Sequence, residues 1–393
     1  MNKDLPYYVA LAGVPGIGPR RFKVLLKHFK RAENVWKAPE KVLEKILTPS
    51  LFQQFTDYRK SFDVESYFSK ISKQNIGLIT IEDKSYPKPL KEIADPPPVL
   101  YVRGELETET ESGSELKSLS QSQTKCIAVV GTRKMTNYGR EVTEILVRDL
   151  VAAGFTIVSG LARGVDSYAH RVTVGNNGKT IAVLGGGVDV VYPPENAALA
   201  AEIADGNGAV ISEFPLGMAA VPGNFPARNR IISGLSLGVL VTEAGEDSGS
   251  LITAGLAGEQ GREVFAVPGP IYSNLSKGPA ELIKQGAKLV MNVNDILDEL
   301  NLAFAPSSGR GECRMQNSEL KQESGQEIKG DTEEEQKILD LLRNGPVHID
   351  EIARSSKLPA AKVGSLLSLM EIKGKIKSLG SGNYSLNPRL PAR

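Results

Sequence analysis

The stretch Pro222-Gly223-Asn224-Phe225-Pro226-Ala227-Arg228-Asn229-Arg230 gathers two arginines, a phenylalanine and two prolines into a single short segment. A loop that merely faces water carries charge but rarely an aromatic ring beside paired arginines. Single-stranded nucleic acid would use every member: the prolines stiffen the loop, Phe225 stacks on a base, and Arg228 and Arg230 grip phosphates. The plainer alternative is a structural loop in which Phe225 packs inward and one arginine pairs with an acid. Matching chemistry recurs in Gly131-Thr132-Arg133, in Ser159-Gly160-Leu161-Ala162-Arg163-Gly164, in Gly185-Gly186-Gly187, and in Glu243-Ala244-Gly245 leading to Ser248-Gly249-Ser250. Small residues let backbone N–H groups approach an anion at a helix N-terminus, and arginine adds charge and a forked donor. Any one of these loops is explained by tight turns alone. Several of them together, two carrying arginine, favour a binding rim.

The elements that must bring these loops together precede them. CIAVV (126–130), FTIV (155–158), TIAVL (180–184), AVIS (209–212), GVLVTEA (238–244) and EVFAV (263–267) are short apolar runs of the kind that form strands buried on both faces. Between the first two, Val142, Ile145, Leu146 and Leu150 fall on one helical stripe that stops at Gly154. Such alternation predicts an α/β fold with a doubly wound, Rossmann-like sheet, in which ligands bind beyond the carboxyl ends of the strands.

Three short patterns suggest enzymes and fail on context. Gly178-Lys179-Thr180 ends like a phosphate-binding loop, but Thr173 stands where that motif needs glycine, and the pattern precedes a strand rather than following one. Gly234-Leu235-Ser236-Leu237-Gly238 matches a nucleophile elbow yet runs from a helix into a strand. Asp166 and His170, four apart on a helix, share one face and read as an intrahelical or core hydrogen bond. No catalytic residue, metal or cofactor is expected.

Lys plus Arg number 47 and Asp plus Glu 46, so a polyanion must be held by a local cluster rather than by a basic coat. Cys126 and Cys313 make neither a disulfide framework nor a zinc site, which fits a reducing cytoplasm. No leader peptide and no membrane-spanning run is expected. Apolar residues almost vanish over 104–125, an expected disordered acidic and serine-rich insertion, and a polar linker is expected over 303–331. These divide the chain into a helical domain (1–65), the α/β domain (70–302) and a C-terminal domain (332–388). In the first, Gly16-Ile17-Gly18 before the basic helix of Arg20 and Arg21 is similar to a helix-hairpin-helix (SAM-like) module, which holds a DNA phosphate or serves only in packing. The last reads as three helices and a two-stranded wing, a winged helix whose third helix offers few cations beyond Lys362 and Lys373, so sequence-specific readout is not expected.

The longer motifs resemble one family. Gly131-Thr132-Arg133 with Tyr138-Gly139, SGLARGVDSYAH (159–170), TIAVLGGGVDVVYPPEN (180–196), ISEFPLG (211–217), FPARNRIISGLS (225–236) and EAGEDSGSLITAGLAGEQGREVFAVPG (243–269) closely resemble the DNA-processing protein A (DprA/Smf) family over about 76–300. The resemblance implies a non-enzymatic, cytoplasmic protein with an extended Rossmann-like fold. Such a protein binds single-stranded DNA, protects it, dimerises, and loads RecA recombinase during natural transformation and recombination. Carried onto this chain, the DNA site comprises Gly131, Thr132, Arg133, Ser159, Gly160, Arg163, Asn224, Phe225, Arg228, Asn229, Arg230 and Lys277. A homodimer interface is expected around Leu282, Ile283 and Leu289. One departure stands out: Ala280 occupies the position of the family's usual asparagine in Ser276-Lys277-Gly278-Pro279-Ala280-Glu281-Leu282-Ile283, which puts a ligand role for that segment in question. The rival class is the nucleoside-monophosphate phosphoribohydrolases of similar fold. Their P-G-G-x-G-T-x-x-E signature would place Thr253 at the catalytic glutamate, leaving Glu243 or Glu213 as substitutes.

Overall fold

The computed structural model describes residues 4–106, 125–302, and 330–386 apart from 344, 346, 357 and 381. Nearly all of the expected insertion and linker lies outside these residues. The chain divides into two compact units, Met1–Gly309 and Arg310–Arg393.

The first unit opens with six helices: α1 (Leu5–Ala12), α2 (Pro19–Phe29), α3 (Ala32–Trp36), α4 (Glu40–Ile46), α5 (Pro49–Ser61) and α6 (Val64–Lys73). Proline in the first turn of α1, α2 and α5 supplies a preset φ where no N–H partner is needed. The Asp4 carboxylate accepts the N–H groups of Ala32 (3.1 Å) and Glu33 (3.0 Å), tying the start of α1 to that of α3. The position between the expected first and second domains falls inside α6. Their cores are also continuous, since Phe22, Trp36 and Phe55 belong to the same buried cluster as Val99, Tyr101, Ala182 and Val210 of the sheet.

That sheet has nine strands: β1 (Gly77–Thr80), β2 (Val99–Gly104), β3 (Cys126–Val130), β4 (Thr156–Ser159), β5 (Thr180–Val183), β6 (Gly208–Ser212), β7 (Gly238–Val241), β8 (Glu263–Ala266) and β9 (Lys288–Leu289). They lie in the order β1-β2-β6-β5-β4-β3-β7-β8-β9. Each of the six apolar runs forms a strand, and these pair in parallel, while β1 and β2 extend the sheet antiparallel beyond β6. Between them come α7 (Lys88–Lys91), α8 (Asn137–Ala152), α9 (Val165–Gly175), α10 (Ala197–Ala204), α11 (Asn224–Leu235), α12 (Gly249–Glu259), α13 (Lys277–Lys284) and α14 (Val293–Glu299). Strand alternation sends Ile127 and Val129 to the face covered by α8, α9 and α14, and Cys126, Ala128 and Val130 to the face covered by α11 and α12. Because β3 pairs with β4 on one side and β7 on the other, the chain reverses direction across the sheet between β3 and β7. This is the doubly wound, Rossmann-like arrangement, with its crevice at the carboxyl ends.

The second unit runs α15 (Glu333–Leu342), β10 (Val347–His348), α16 (Ile349–Ser356), α17 (Ala360–Ile372), β11 (Ile376–Gly380) and β12 (Asn383–Leu386), with antiparallel strands in the order β10-β12-β11. Ile338, Leu342, Ile352, Val363, Leu367 and Met370 close its core. This is the expected winged helix. The two lysines of its third-helix region are already engaged: Lys362 contacts Glu334 at 2.5 Å, while Lys373 contacts Asp331 at 2.7 Å and Glu335 at 2.8 Å.

Candidate nucleic-acid interface

At the crevice between β3 and β7, the start of α8 is where a Rossmann fold ordinarily seats a ligand phosphate. Here an internal carboxylate sits there. Glu243, at the end of β7, is 2% exposed and accepts the Thr136 N–H at 2.9 Å and the Thr136 hydroxyl at 2.6 Å. Gly139 completes the fit, because a Cβ at that position would collide with the Glu243 carboxylate. The turn before α8 is equally committed. The Thr132 N–H donates to the Glu243 carbonyl at 2.7 Å, a Cβ on Gly131 would stand 2.7 Å from the same oxygen, and Thr132 is buried. Gly131 and Thr132 therefore shape the turn, and the side chain it delivers outward is Arg133.

The open pocket lies beside this crevice, over the ends of β3, β4 and β5. Arg133, Gly160, Ala162, Arg163, Tyr192, Pro193, Phe225 and Arg228 line it. The Arg133 guanidinium lies over the Phe225 ring, 5.6 Å from its centroid, and the Tyr192 ring stands 5.8 Å from the same ring at 44°. The attraction of a guanidinium for the face of a ring holds Arg133 at the rim without consuming its donors. Arg163, also exposed, is paired with Glu195. Gly164 makes the close approach of these two arginine loops possible: its φ of 77° is left-handed, and a Cβ there would strike the Thr132 carbonyl and the Arg133 backbone.

Arg228 forms the floor. It is 5% exposed, donates to the Gly160 carbonyl at 2.6 Å and to that of Val183, and its Nε donates to the Asn229 Oδ1 at 3.2 Å. Burial, with the charge of Arg133 adding to it and that of Asp166 opposing it, lowers its pKa to about 10, so the group remains a cation at neutral pH. Asp166 is the buried counter-charge, and it accepts the Gly160 N–H at 3.2 Å. Desolvation raises its pKa against the pull of Arg228, of the Ala162 and Gly160 N–H groups, and of Arg133. His170, its neighbour on α9, instead engages the Thr180 hydroxyl at 2.7 Å, and burial pushes its pKa down to about 3, so the imidazole is neutral. Each of the two residues makes a core hydrogen bond of its own.

Several expectations change in this geometry. The segment from Asn224 is the first turns of α11 rather than a loop, with Pro226 in its opening turn, where proline is tolerated. Arg230 points away from the pocket. Its side chain is 8% exposed and closes a two-toothed pair on Glu213 at 2.6 and 2.7 Å, with Asp95 at 3.5 Å. The structural alternative thus holds for Arg230, whereas Phe225 is half-buried with its ring in the pocket wall. The Ser159 hydroxyl is buried and donates to the Val129 carbonyl at 2.6 Å, bracing β4 against β3. Asn224 donates to the Gly185 carbonyl at 2.9 Å and Asn229 to that of Gly249 at 3.3 Å, both positioning the helix. Lys277 is outside the pocket lining, at the start of α13, 3.8 Å from Glu246. Sequence reasoning gave no role to Tyr192 and Pro193, since nothing in a Tyr-Pro-Pro run distinguishes a pocket wall from a turn. Leu282 packs on the core, Ile283 is half-buried, and Leu289, on the edge strand β9, is 40% exposed.

The family model described as DNA recombination-mediator protein A matches residues 77–301, and the DprA winged helix domain matches residues 322–382. Protein Smf of Synechocystis sp. is 40% identical over 76% of this chain and 73% of its own length. DNA processing protein DprA of Bacillus subtilis is 41% identical over 61% of this chain and 78% of its own. The X-ray structure of DNA processing protein A from Streptococcus pneumoniae superposes with a TM-score of 0.61 at 34% identity, covering 75% of this chain and 97% of that one. The motifs that build the pocket and the filled crevice lie within the matched region, and the chain belongs to the DNA recombination-mediator protein A family.

Proposed function

We propose that this protein binds single-stranded DNA in the pocket walled by Phe225 and Tyr192, as a mediator that protects incoming strands and hands them to RecA recombinase in the cytoplasm. The observation that carries the reading is the Arg133–Phe225–Tyr192 arrangement at 5.6 and 5.8 Å above the buried Arg228. It offers rings for a base, and cations on the rim and floor for phosphate, at the edge where doubly wound sheets bind ligands. Arg133 and Arg228 are the principal cations, Arg163 joins them by exchanging Glu195 for phosphate, and Gly160 keeps the floor low. Arg230 serves structure in this reading.

Binding without catalysis is supported by what the two candidate acids of the rival hydrolase already do. Glu243 is held by Thr136 and Glu213 by Arg230, so neither is free to stabilise an oxocarbenium ion. The homodimer is proposed at the β9 edge, where Leu289 and the exposed Met291 (76%) extend the apolar surface begun by Ile283. A comparison of single-stranded with duplex DNA of equal length across a salt series tests the central claim. The expected result is tighter binding of the single strand, with a log-log slope of about −0.7 for each phosphate neutralised. Equal affinity for the blunt duplex would refute it.

A further inference from the structure

Helix α2 concentrates positive charge in a molecule that is otherwise balanced. From Leu5 to Ala32 the chain carries Arg20, Arg21, Lys23, Lys27, Lys30 and Arg31, and not one Asp or Glu. At about 100° per residue, Arg20, Lys23 and Lys27 fall within an arc of about 60°. All three are exposed, and Phe22 and Leu25 anchor the opposite face at 2% exposure each. Exposed Lys30 follows at the C-cap, with φ of 71°. Arg21 leaves this stripe to donate to the Gly16 carbonyl at 2.7 Å.

Neighbouring cations of the module are neutralised: Arg31 by Glu33 at 3.0 Å, Lys37 by Glu33 at 2.9 Å, and Arg59 by Glu40 at 3.5 Å. Among the described residues, Arg20, Lys23, Lys27 and Lys30 have no such acidic partner. An unneutralised row of this kind is complementary to a polyanion. From Arg20 to Lys27 the row is about 10 Å long at about 1.5 Å per residue, the axial rise of about three base pairs.

The kind of polyanion follows from what the face lacks. Phe22 is buried, Phe29 is half-buried, and exposed His28 lies about 80° round the helix from Arg20 with its ring edge-on to Phe29 at 4.8 Å, so the stripe itself carries no ring on which an unpaired base would stack. The charged side chains of the stripe are all cations, which position a phosphate backbone without reading sequence. We infer that the exposed face of α2 is a second DNA-contacting surface, separate from the pocket, that holds the phosphate backbone of duplex DNA through Arg20, Lys23, Lys27 and Lys30. The two surfaces together suit the protein to DNA that is part single strand and part duplex.

The test uses the full chain and fluorescence anisotropy over a salt series, on a blunt duplex and a single strand of the same length. The Lys23→Ala/Lys27→Ala double variant should bind duplex about tenfold more weakly. Its salt slope on duplex should be shallower by about 1.8, two contacts at about 0.9 each. Single-strand affinity should stay within about twofold of the parent, and Lys23→Arg/Lys27→Arg should restore duplex binding. Both lysines are exposed, so folding is not at risk, and circular dichroism checks it. An unchanged duplex slope, or single-strand binding that falls in step with duplex binding, overturns the inference. Arg133→Ala separates the two readings: if it leaves single-strand binding intact while the lysine variant still loses duplex, the pocket assignment fails and the α2 surface stands.

Discussion

Arg133 and Arg230 have the same chemistry and opposite fates, and replacing each with alanine separates binding from structure. Arg230 is 8% exposed and its fork is closed on Glu213, itself 11% exposed, at 2.6 and 2.7 Å. Arg230→Ala leaves that carboxylate buried without its cation, a loss that costs about 3–5 kcal/mol. For a unit of this size each kcal/mol lowers the melting temperature by about 2 °C, so a drop of about 6–10 °C is expected. Arg133 is exposed at the rim, and Arg133→Ala should change stability by no more than about 0.5 kcal/mol. Its effect falls on binding: weaker affinity for every single strand, and a salt slope shallower by about 0.7, one phosphate. Thermal melts by circular dichroism, paired with anisotropy salt series well below the transition, read both quantities. An Arg230→Ala variant that melts with the parent protein while flattening the salt slope would put the Arg230 guanidinium on DNA rather than on Glu213 and refute the structural role.

Phe225→Ala should cost about 1–3 kcal/mol of single-strand binding with the salt slope unchanged, since an aromatic ring releases no counterion; a slope change in the same titration would contradict stacking. Ile283→Asp together with Leu289→Asp should convert a dimer to a monomer by light scattering, and an unchanged mass would remove the β9 edge from the assembly. In the winged helix, hydrogen bonds from Lys373 and Lys375 lower the Asp331 pKa to about 2, from an ordinary value of 3.8. A depressed carboxylate stabilises the fold fully above its unfolded value and loses that contribution as pH falls through the folded one. The melting temperature of the winged helix, followed by circular dichroism, should therefore fall as pH drops from about 4 to about 2, and Asp331→Asn should remove part of that fall, the rest resting on Glu335, which is bonded to the same two lysines.

Six of the nine strands of the large sheet, β3 to β8, are legible because each is a short, largely apolar run, whereas β1, β2 and β9 lie outside the runs read as strands, and the arginine loops are legible because small residues and a cation follow two of those runs directly. Burial is not. Arg228 and Arg230 stand two apart in one motif, yet one floors a pocket and the other meets Glu213, which a linear pattern cannot pair with it. Pro226 misled by its double use: the same residue that stiffens a loop also opens a helix, and here it belongs to the first turn of α11. The boundary expected near residue 65 falls inside α6 for a related reason. Composition registers polar linkers, whereas α6 carries the chain from module to sheet without one, and aromatic residues such as Tyr67 bridge the two by donating to the Tyr101 hydroxyl at 3.2 Å.

The carboxylate seated at the start of α8 bears on competition inside a cell. A free nucleotide seeking the usual Rossmann seat would have to displace Glu243 from two short hydrogen bonds and then face its charge. A mononucleotide thus finds no open anion seat at the start of α8, and in the proposed pocket it would offer only a single phosphate and a single base. A long strand gains by engaging several contacts at once, each raising the effective concentration of the next. If the pocket holds DNA as proposed, polymer length rather than nucleotide identity then decides what remains bound.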